Sequence, residues 1–152
     1  MLKYDGYSIV LQEVPDEISL AFNITGCPWR CEGCHSKNLW EDTGRVLDDD
    51  IYNIIDEHRD EISCVLFMGG DHERGEILSL IDRLRFLYPG LKIAMYTGDD
   101  NPPKSIWDAV DYLKVGHYVE ELGGLDSKTT NQRMYKISHI HKDITERFWK
   151  DV

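Results

Sequence analysis

The sequence has no apolar run as long as the roughly 20 residues that a membrane-spanning helix needs. It is also short of positive charge, because 17 Lys and Arg residues stand against 28 Asp and Glu, for a formal net charge of -11 at pH 7. A general nucleic-acid binder needs a basic surface for phosphate contacts, so this balance argues against that class. The amino terminus does not have the charged and then apolar layout of a signal peptide. We therefore expect a cytoplasmic protein that binds neither a membrane nor a nucleic acid.

Cysteine is scarce in this chain, but it is concentrated in one place. Only four cysteines occur in 152 residues, and Cys27, Cys31 and Cys34 lie within eight consecutive positions. This spacing allows one loop, residues 25–36 (the cysteine loop), to surround a metal centre with three thiolates. Ligand sets rich in thiolate select iron–sulfur clusters, zinc or Cu(I) over hard cations. In an intracellular protein, such grouped cysteines are more often metal-binding or catalytic than paired in disulfides.

An iron–sulfur cluster fits the cysteine loop better than a structural zinc ion does. Zinc in a structural site takes four ligands in a tetrahedral array. The adjacent His35 is badly placed to complete a tetrahedron with Cys34, and Cys64 lies in a predicted buried strand. A four-iron cluster held by three thiolates leaves one iron open to a further ligand. A zinc-stabilised binding module remains the alternative.

The hydrophobic pattern alternates between the periods of strands and helices. Strands are predicted at 7–12, 18–24, 62–68, 91–96, 112–115 and 133–137, and helices at 47–58, 75–88, 104–110 and 144–149. Such alternation is typical of parallel βα units, but these units are too few for an eight-fold barrel of about 250 residues. We therefore predict an α/β fold: a partial, open TIM-like βα barrel of mostly parallel strands. One domain is expected over residues 1–152, with the segment 116–152 closing it.

A second candidate motif, Gly69-Gly70-Asp71, follows the predicted buried strand 62–68. Paired glycines permit a close approach of the backbone to a ligand, and a carboxylate accepts hydrogen bonds from an ammonium group. Ligands of α/β sheets bind beyond the carboxyl ends of the strands, which is where this motif stands. Alone, Gly-Gly-Asp is usually a turn. Next to the cysteine loop, it indicates part of a ligand site.

Together these motifs resemble a known superfamily. The cysteine triplet resembles the signature of the radical S-adenosylmethionine (SAM) superfamily. The run Gly33-Cys34-His35, followed by Trp40, is more like the branch of anaerobic ribonucleotide reductase activating proteins. Gly69-Gly70-Asp71 resembles the Gly-Gly-acid motif of that superfamily, although His72 stands where a proline is usual. The resemblance extends from about residue 7 to about residue 137.

The resemblance implies a fold, cofactors and ligands. It implies a barrel of the radical SAM type and a [4Fe–4S] cluster held by Cys27, Cys31 and Cys34. The SAM-binding residues that it implies are Gly33, Cys34, His35, Gly69, Gly70 and Asp71. In that superfamily the acid binds the SAM amino group. No catalytic side chain is expected beyond the cluster ligands.

The resemblance also implies an activity and partners. It implies a glycyl-radical activating enzyme, in which the reduced cluster cleaves SAM to methionine and a 5′-deoxyadenosyl radical. That radical would abstract a hydrogen atom from a glycine of the large catalytic subunit of anaerobic ribonucleotide reductase. Flavodoxin or ferredoxin would donate the electron. The alternatives are an activator of another glycyl-radical enzyme, of the pyruvate formate-lyase type, and a non-enzymatic iron–sulfur electron-transfer protein.

Later segments of the chain also resemble that branch, but their roles stay open. Tyr96, Asp111 and Lys114 lie in or next to predicted strands, where they could contact SAM or could be ordinary strand residues. The run Asn131-Gln132-Arg133 resembles one near the end of the activating proteins. Partner docking and closure of the fold are both compatible with that run.

Overall fold

A computed structural model of the chain describes residues 1–27, 41, 43–138 and 140–149. Within these ranges the strands form one eight-stranded sheet. In chain order they are β1 (Lys3–Val10), β2 (Ser19–Ile24), β3 (Arg45–Val46), β4 (Cys64–Met68), β5 (Lys92–Tyr96), β6 (Tyr112–Val115), β7 (Arg133–Ile137) and β8 (His141–Asp143). The helices are α1 (Leu47–His58), α2 (Arg74–Leu87) and α3 (Lys104–Ala109), with 3-10 turns at Asp71–Glu73 and Thr145–Phe148.

The strands lie in the order β3-β1-β2-β4-β5-β6-β7-β8, so the sheet has a parallel centre and antiparallel borders. The parallel pairs are β2–β4, β4–β5 and β5–β6. The antiparallel pairs are β1–β2, β1–β3, β6–β7 and β7–β8. Antiparallel strands can be joined by a turn or loop, whereas parallel strands need a long crossover.

The predicted partial TIM-like βα barrel is therefore wrong. The sheet is mixed rather than mostly parallel, and the three α-helices of the described part have only 12, 14 and 6 residues. The prediction failed because strand–helix alternation holds only from β2 to β6. Before β2 and after β6, turns and loops without an α-helix lead to antiparallel strands.

The three helices pack on one face of the sheet. Parallel strands joined through helices nearly always cross over with the same hand, so a sheet that grows in one direction carries its helices on one face. The apolar side of each helix is buried there against alternate residues of the central strands. The core on this face includes Ile51, Ile55, Ile77, Leu80, Ile81, Ile106, Phe22, Val65, Phe67, Met95 and Leu113.

The opposite face of the sheet is lined by smaller side chains and is covered by the end of the chain. Ala21, Cys64, Leu66, Ala94, Tyr112, Met134 and Ile144 form its core, and Phe148 and Leu125 pack against them. Arg147 donates two hydrogen bonds, of 3.0 and 2.7 Å, to the carboxylate of Asp16 in the β1–β2 turn. The segment after β8 therefore closes this face. In the ranges that the structure describes, no helix has the length and apolar character to cross a membrane.

Candidate functional site

The carboxyl ends of the central strands meet at one edge of the sheet. The register pairs Asn23 of β2 with Met68 of β4, and Met68 with Tyr96 of β5. The segments 25–27, 69–72 and 97–99, which follow these strands, form what we call the carboxyl edge. Gly69 shows how close they are, because its N–H donates to the carbonyl of Tyr96 at 3.2 Å.

The cysteine loop begins at the carboxyl edge, where Thr25 and Gly26 contact Lys3, Glu41 and Thr43. The N–H of Thr25 donates to the carbonyl of Lys3 at 3.0 Å, and its hydroxyl donates to the carbonyl of Thr43. The N–H of Gly26 donates to the carbonyl of Glu41 at 3.0 Å. These bonds hold the departing chain against the returning chain, so that Cys27 stands at the edge.

Cys27 is the predicted ligand that the structure describes, and it is a half-buried free thiol. Cys31, Gly33, Cys34 and His35 lie outside the described residues, so their predicted roles stay predictions. Among the described residues, no three His, Cys, Asp or Glu side chains converge as a metal site.

The fourth cysteine, Cys64, is far from this edge. It is the first residue of β4 and pairs with Ser19, the first residue of β2. Ser19 and Ile24 are five residues apart, or roughly 16 Å along a strand, and Cys27 comes after Ile24. The Cys64 side chain is fully buried, and burial raises the pKa of its thiol to about 12. Because it lies at the opposite edge of the sheet, Cys64 cannot be a fourth ligand of a centre at Cys27.

The Gly-Gly-Asp motif has a backbone that requires glycine at both positions. Gly69 and Gly70 have φ angles of 118° and 109°, a region that side chains rarely adopt. A Cβ on Gly69 would lie 3.2 Å from the carbonyl oxygen of Ile24, and one on Gly70 would lie 2.8 Å from the Cδ1 of Ile77. The motif therefore passes close to the end of β2, on the way to the Asp71–Glu73 turn.

The carboxylate of Asp71 is held between the ends of β4 and β5. Its Oδ1 accepts a hydrogen bond from the hydroxyl of Thr97, and its Oδ2 accepts one from the N–H of Gly98 at 3.1 Å. The hydroxyl oxygen of Thr97 also accepts from the N–H of Asp99 at 3.1 Å. Sequence reasoning missed Thr97, although its place directly after a predicted strand was a usable signal.

His72 is the second residue that sequence reasoning did not identify as part of the site. Both of its ring nitrogens are buried, and neither has a hydrogen-bond partner in the part of the chain that the structure describes. Leaving one buried polar atom without a partner costs on the order of 1–3 kcal/mol. A Cβ on Gly26 would lie only 2.9 Å from the Nε2 of His72. The imidazole therefore packs against the residue that precedes Cys27, and it fits a bound group with hydrogen-bonding atoms.

The backbones of Tyr96 and Lys114 lie next to the carboxyl edge, but the Tyr96 side chain packs on the face covered by the end of the chain. The hydroxyl of Tyr96 donates to the carbonyl of Glu13, and burial raises the pKa of that hydroxyl. The ammonium of Lys114 lies 5.0 Å from the centre of the Tyr96 ring. These contacts stabilise the fold and do not direct either side chain to Asp71.

Asp111 has a structural role at the opposite end of β6. Its carboxylate accepts from the N–H of Ile93 at 2.8 Å and from Arg85 at 3.0 Å. Asp111 precedes β6, whereas the carboxyl edge follows the strands. Its side chain therefore joins α2 to β5.

The run Asn131-Gln132-Arg133 closes the fold. Gln132 is buried and its side-chain amide donates to the carbonyl of Gly116 at 3.2 Å. The amide of Asn131 donates to the carbonyl of His117 at 3.1 Å. Both bonds hold the chain as it leaves β6 against the chain that enters β7.

Comparison with known families adds one match. The sequence model described as "4Fe-4S single cluster domain" matches residues 18–137, from the start of β2 to the end of β7. The match spans well over half of the chain and includes all three residues of the cysteine triplet. No curated protein and no solved structure matches the chain.

Proposed function

We propose that this chain, which belongs to the 4Fe-4S single cluster domain family, is a glycyl-radical activating enzyme that uses SAM. The domain binds a [4Fe–4S] cluster. The positions of its cysteines support a cluster in which one iron has no cysteine ligand. Three cysteines are grouped, and the fourth, Cys64, is buried at the opposite edge of the sheet. The observation that carries the proposal is the Asp71 carboxylate, held by Thr97 and Gly98 at the edge where the cysteine loop begins.

Each predicted residue of the site has a proposed role. Cys27, Cys31 and Cys34 hold the cluster, and Asp71 accepts hydrogen bonds from the ammonium group of SAM. Gly69 and Gly70 leave space at the edge, while Gly33, Cys34 and His35 line the SAM beside the cluster.

The cofactors supply the chemistry, and the protein supplies ligation and orientation. The cluster and SAM, when bound, would supply the radical chemistry: one electron would break a sulfonium C–S bond to give methionine and a 5′-deoxyadenosyl radical, which would take a hydrogen atom from glycine. One electron, one SAM and one glycine C–H are consumed for each 5′-deoxyadenosine and each glycyl radical formed. The chain needs no general acid or base for this balance.

The proposed protein substrate is the large catalytic subunit of anaerobic ribonucleotide reductase, with flavodoxin or ferredoxin as the electron donor. Ile144 and Phe148 cover the face of the sheet opposite α1, α2 and α3. We therefore propose that the partner glycine approaches over the carboxyl edge, beside Asp71, and not through the covered face.

Product analysis of the reduced protein tests the proposal. Cluster-loaded protein that is reduced with dithionite and mixed with the large subunit of anaerobic ribonucleotide reductase should convert SAM to equal amounts of methionine and 5′-deoxyadenosine. Asp71→Asn should load the cluster but lose at least about tenfold in turnover, because the amide gives up the charge that pairs with ammonium. Asp111→Asn is the matched control, since it makes the same change at the opposite edge, and it should keep its turnover.

The same preparation identifies the partner. A glycyl-radical signal should appear on the anaerobic ribonucleotide reductase subunit and not on pyruvate formate-lyase. A radical on pyruvate formate-lyase alone would reassign the partner. Fully loaded, reduced protein that forms neither product would favour an electron-transfer protein instead.

A further inference from the structure

We propose that His72 donates a hydrogen bond from Nε2–H to a sulfur atom of the [4Fe–4S] centre, either a bridging sulfide or a ligating thiolate. The bond would make the cluster easier to reduce. This inference rests on the cluster of the family and not on SAM chemistry. It gives His72 a task as a residue that tunes the cofactor.

The imidazole of His72 lies next to the residue that precedes Cys27. His72 lies in the 3-10 turn Asp71–Glu73, directly after the carboxylate at the carboxyl edge. Its ring packs flat against the start of the cysteine loop, because a Cβ on Gly26 would lie 2.9, 3.1 and 3.3 Å from Nε2, Cε1 and Cδ2. Nε2 is the nearest of these ring atoms. The next residue along the loop is Cys27.

The hydrogen-bonding capacity of the His72 ring is not used by the described residues. Nδ1 and Nε2 are both shielded from solvent, and the described residues offer a partner to neither. A neutral imidazole carries one N–H and an imidazolium carries two, so the ring has a donor to place in either state. Buried donors in folded proteins are almost always satisfied, which points to an acceptor that arrives with the bound group. Sulfur atoms of the cluster and its thiolates are acceptors of this kind.

A hydrogen bond from this position would change the reduction potential of the cluster. An imidazole carries at least one N–H donor in either protonation state. His72 therefore adds a donor at the turn. Hydrogen bonds to the sulfur atoms are among the features that set the potentials of iron–sulfur clusters. Such a bond favours the reduced cluster, because the extra electron increases the negative charge on sulfur.

A redox titration followed by EPR, in the absence of SAM, tests the proposal. In His72→Phe the equilibrium constant for one-electron reduction should fall about tenfold, which corresponds to a potential lower by about 59 mV. His72→Gln retains an N–H donor and should stay within about threefold of wild type. His58→Phe, the same change in α1 and away from the carboxyl edge, should leave the potential unchanged. Equal potentials in His72→Phe and wild type would overturn the proposal.

Two further outcomes are decisive. Loss of the cluster in both His72 variants, with His58→Phe fully loaded, would show a structural requirement and would contradict a tuning role. In wild-type protein labelled with ¹⁵N-histidine, pulsed EPR of the reduced cluster should show a nitrogen coupling that His72→Gln removes. Absence of any such coupling would overturn the proposal without a variant. Because SAM is left out, failure of the proposed enzymatic function would not alter these results.

Discussion

The hydroxyl of Thr97 donates a hydrogen bond to the carboxylate of Asp71, and this bond joins the ends of two neighbouring parallel strands. Thr97 itself is buried, at 1% exposure. The carboxylate is therefore fixed before any ligand arrives, which avoids the ordering cost of placing it during binding. This relationship makes the end of β5 part of the proposed SAM site.

Removal of the Thr97 hydroxyl should weaken SAM binding. Thr97→Val keeps the shape of the side chain but leaves Asp71 and the N–H of Asp99 without this partner. We expect the dissociation constant for SAM to rise about tenfold and the free energy of unfolding to fall by about 1–3 kcal/mol. Calorimetric titration of cluster-loaded protein measures the first quantity, and urea unfolding the second. Thr97→Ser is the control and should bind SAM normally. If Thr97→Val and the wild type bind SAM with equal affinity, Thr97 does not contribute to the SAM site.

Gly26 should not tolerate a side chain. Its φ of +80° costs a residue with a Cβ about 1–2 kcal/mol, and the ring of His72 occupies the space of that Cβ. Gly26→Ala should therefore lower the free energy of unfolding of the apo-protein by more than the backbone cost alone. Adding His72→Ala should recover only the steric part. Urea unfolding of both single variants and the double variant measures this coupling, and strictly additive effects would refute the contact.

Cys64 should be dispensable for the cluster. Cys64→Ala should retain the iron content of the wild type, whereas Cys27→Ser should lose it, because the two residues stand at opposite edges of the sheet. Iron and sulfide analysis after anaerobic reconstitution measures this difference. Iron loss in Cys64→Ala at unchanged stability would identify a fourth ligand.

The Cys64 thiol should also resist alkylation in the folded protein. Because burial raises its pKa to about 12 from an ordinary value of 9.0, the folded state keeps the proton. This contribution to stability is fully present below pH 9.0 and is lost as the pH rises towards 12. Iodoacetamide labelling of the apo-protein, read by peptide mass spectrometry, should modify Cys64 only after urea unfolding. Rapid labelling of Cys64 in folded protein would contradict its placement.

The ion pair of Asp111 should matter to the fold and not to the cofactor. Both partners are partly exposed, so Asp111→Asn should lower the free energy of unfolding by only about 0.5–1 kcal/mol. The affinity for SAM should not change, because Asp111 lies at the edge away from Asp71. Thermal unfolding and SAM titration on one preparation measure both quantities. A loss of SAM affinity in Asp111→Asn at full cluster loading would show that Asp111 contributes to SAM binding.

The sequence predicted the elements with strong periodic patterns. Residues 47–58 form α1 with the predicted bounds, and β2, β4, β5 and β6 lie within or match the predicted strands. Strands β3 and β8 were missed because they have two and three residues and no apolar alternation. β1 was predicted too late in the chain, since its register shifts between Tyr4 and Tyr7, where Gly6 has a φ of 86°.

The topology and the supporting residues could not be obtained in the same way. The short connection between β1 and β2 was visible in the sequence and favours antiparallel pairing, which a barrel of mostly parallel strands does not explain. The segment 116–132 has no hydrophobic periodicity from which the strand partner of β7 could be predicted. Thr97 and His72 act through contacts with Asp71 and Gly26, which are distant in sequence, so only the fold reveals their partners.

The most direct test of the proposed SAM site is the EPR spectrum of the dithionite-reduced protein with and without SAM. The protein should first be reconstituted anaerobically with iron and sulfide. The account predicts a [4Fe–4S] signal whose g-values shift when SAM is added, and a much weaker shift in Asp71→Asn at equal cluster content. A cluster signal that SAM leaves unchanged in the wild-type protein would contradict the account, because no iron would then be open to SAM beside Asp71.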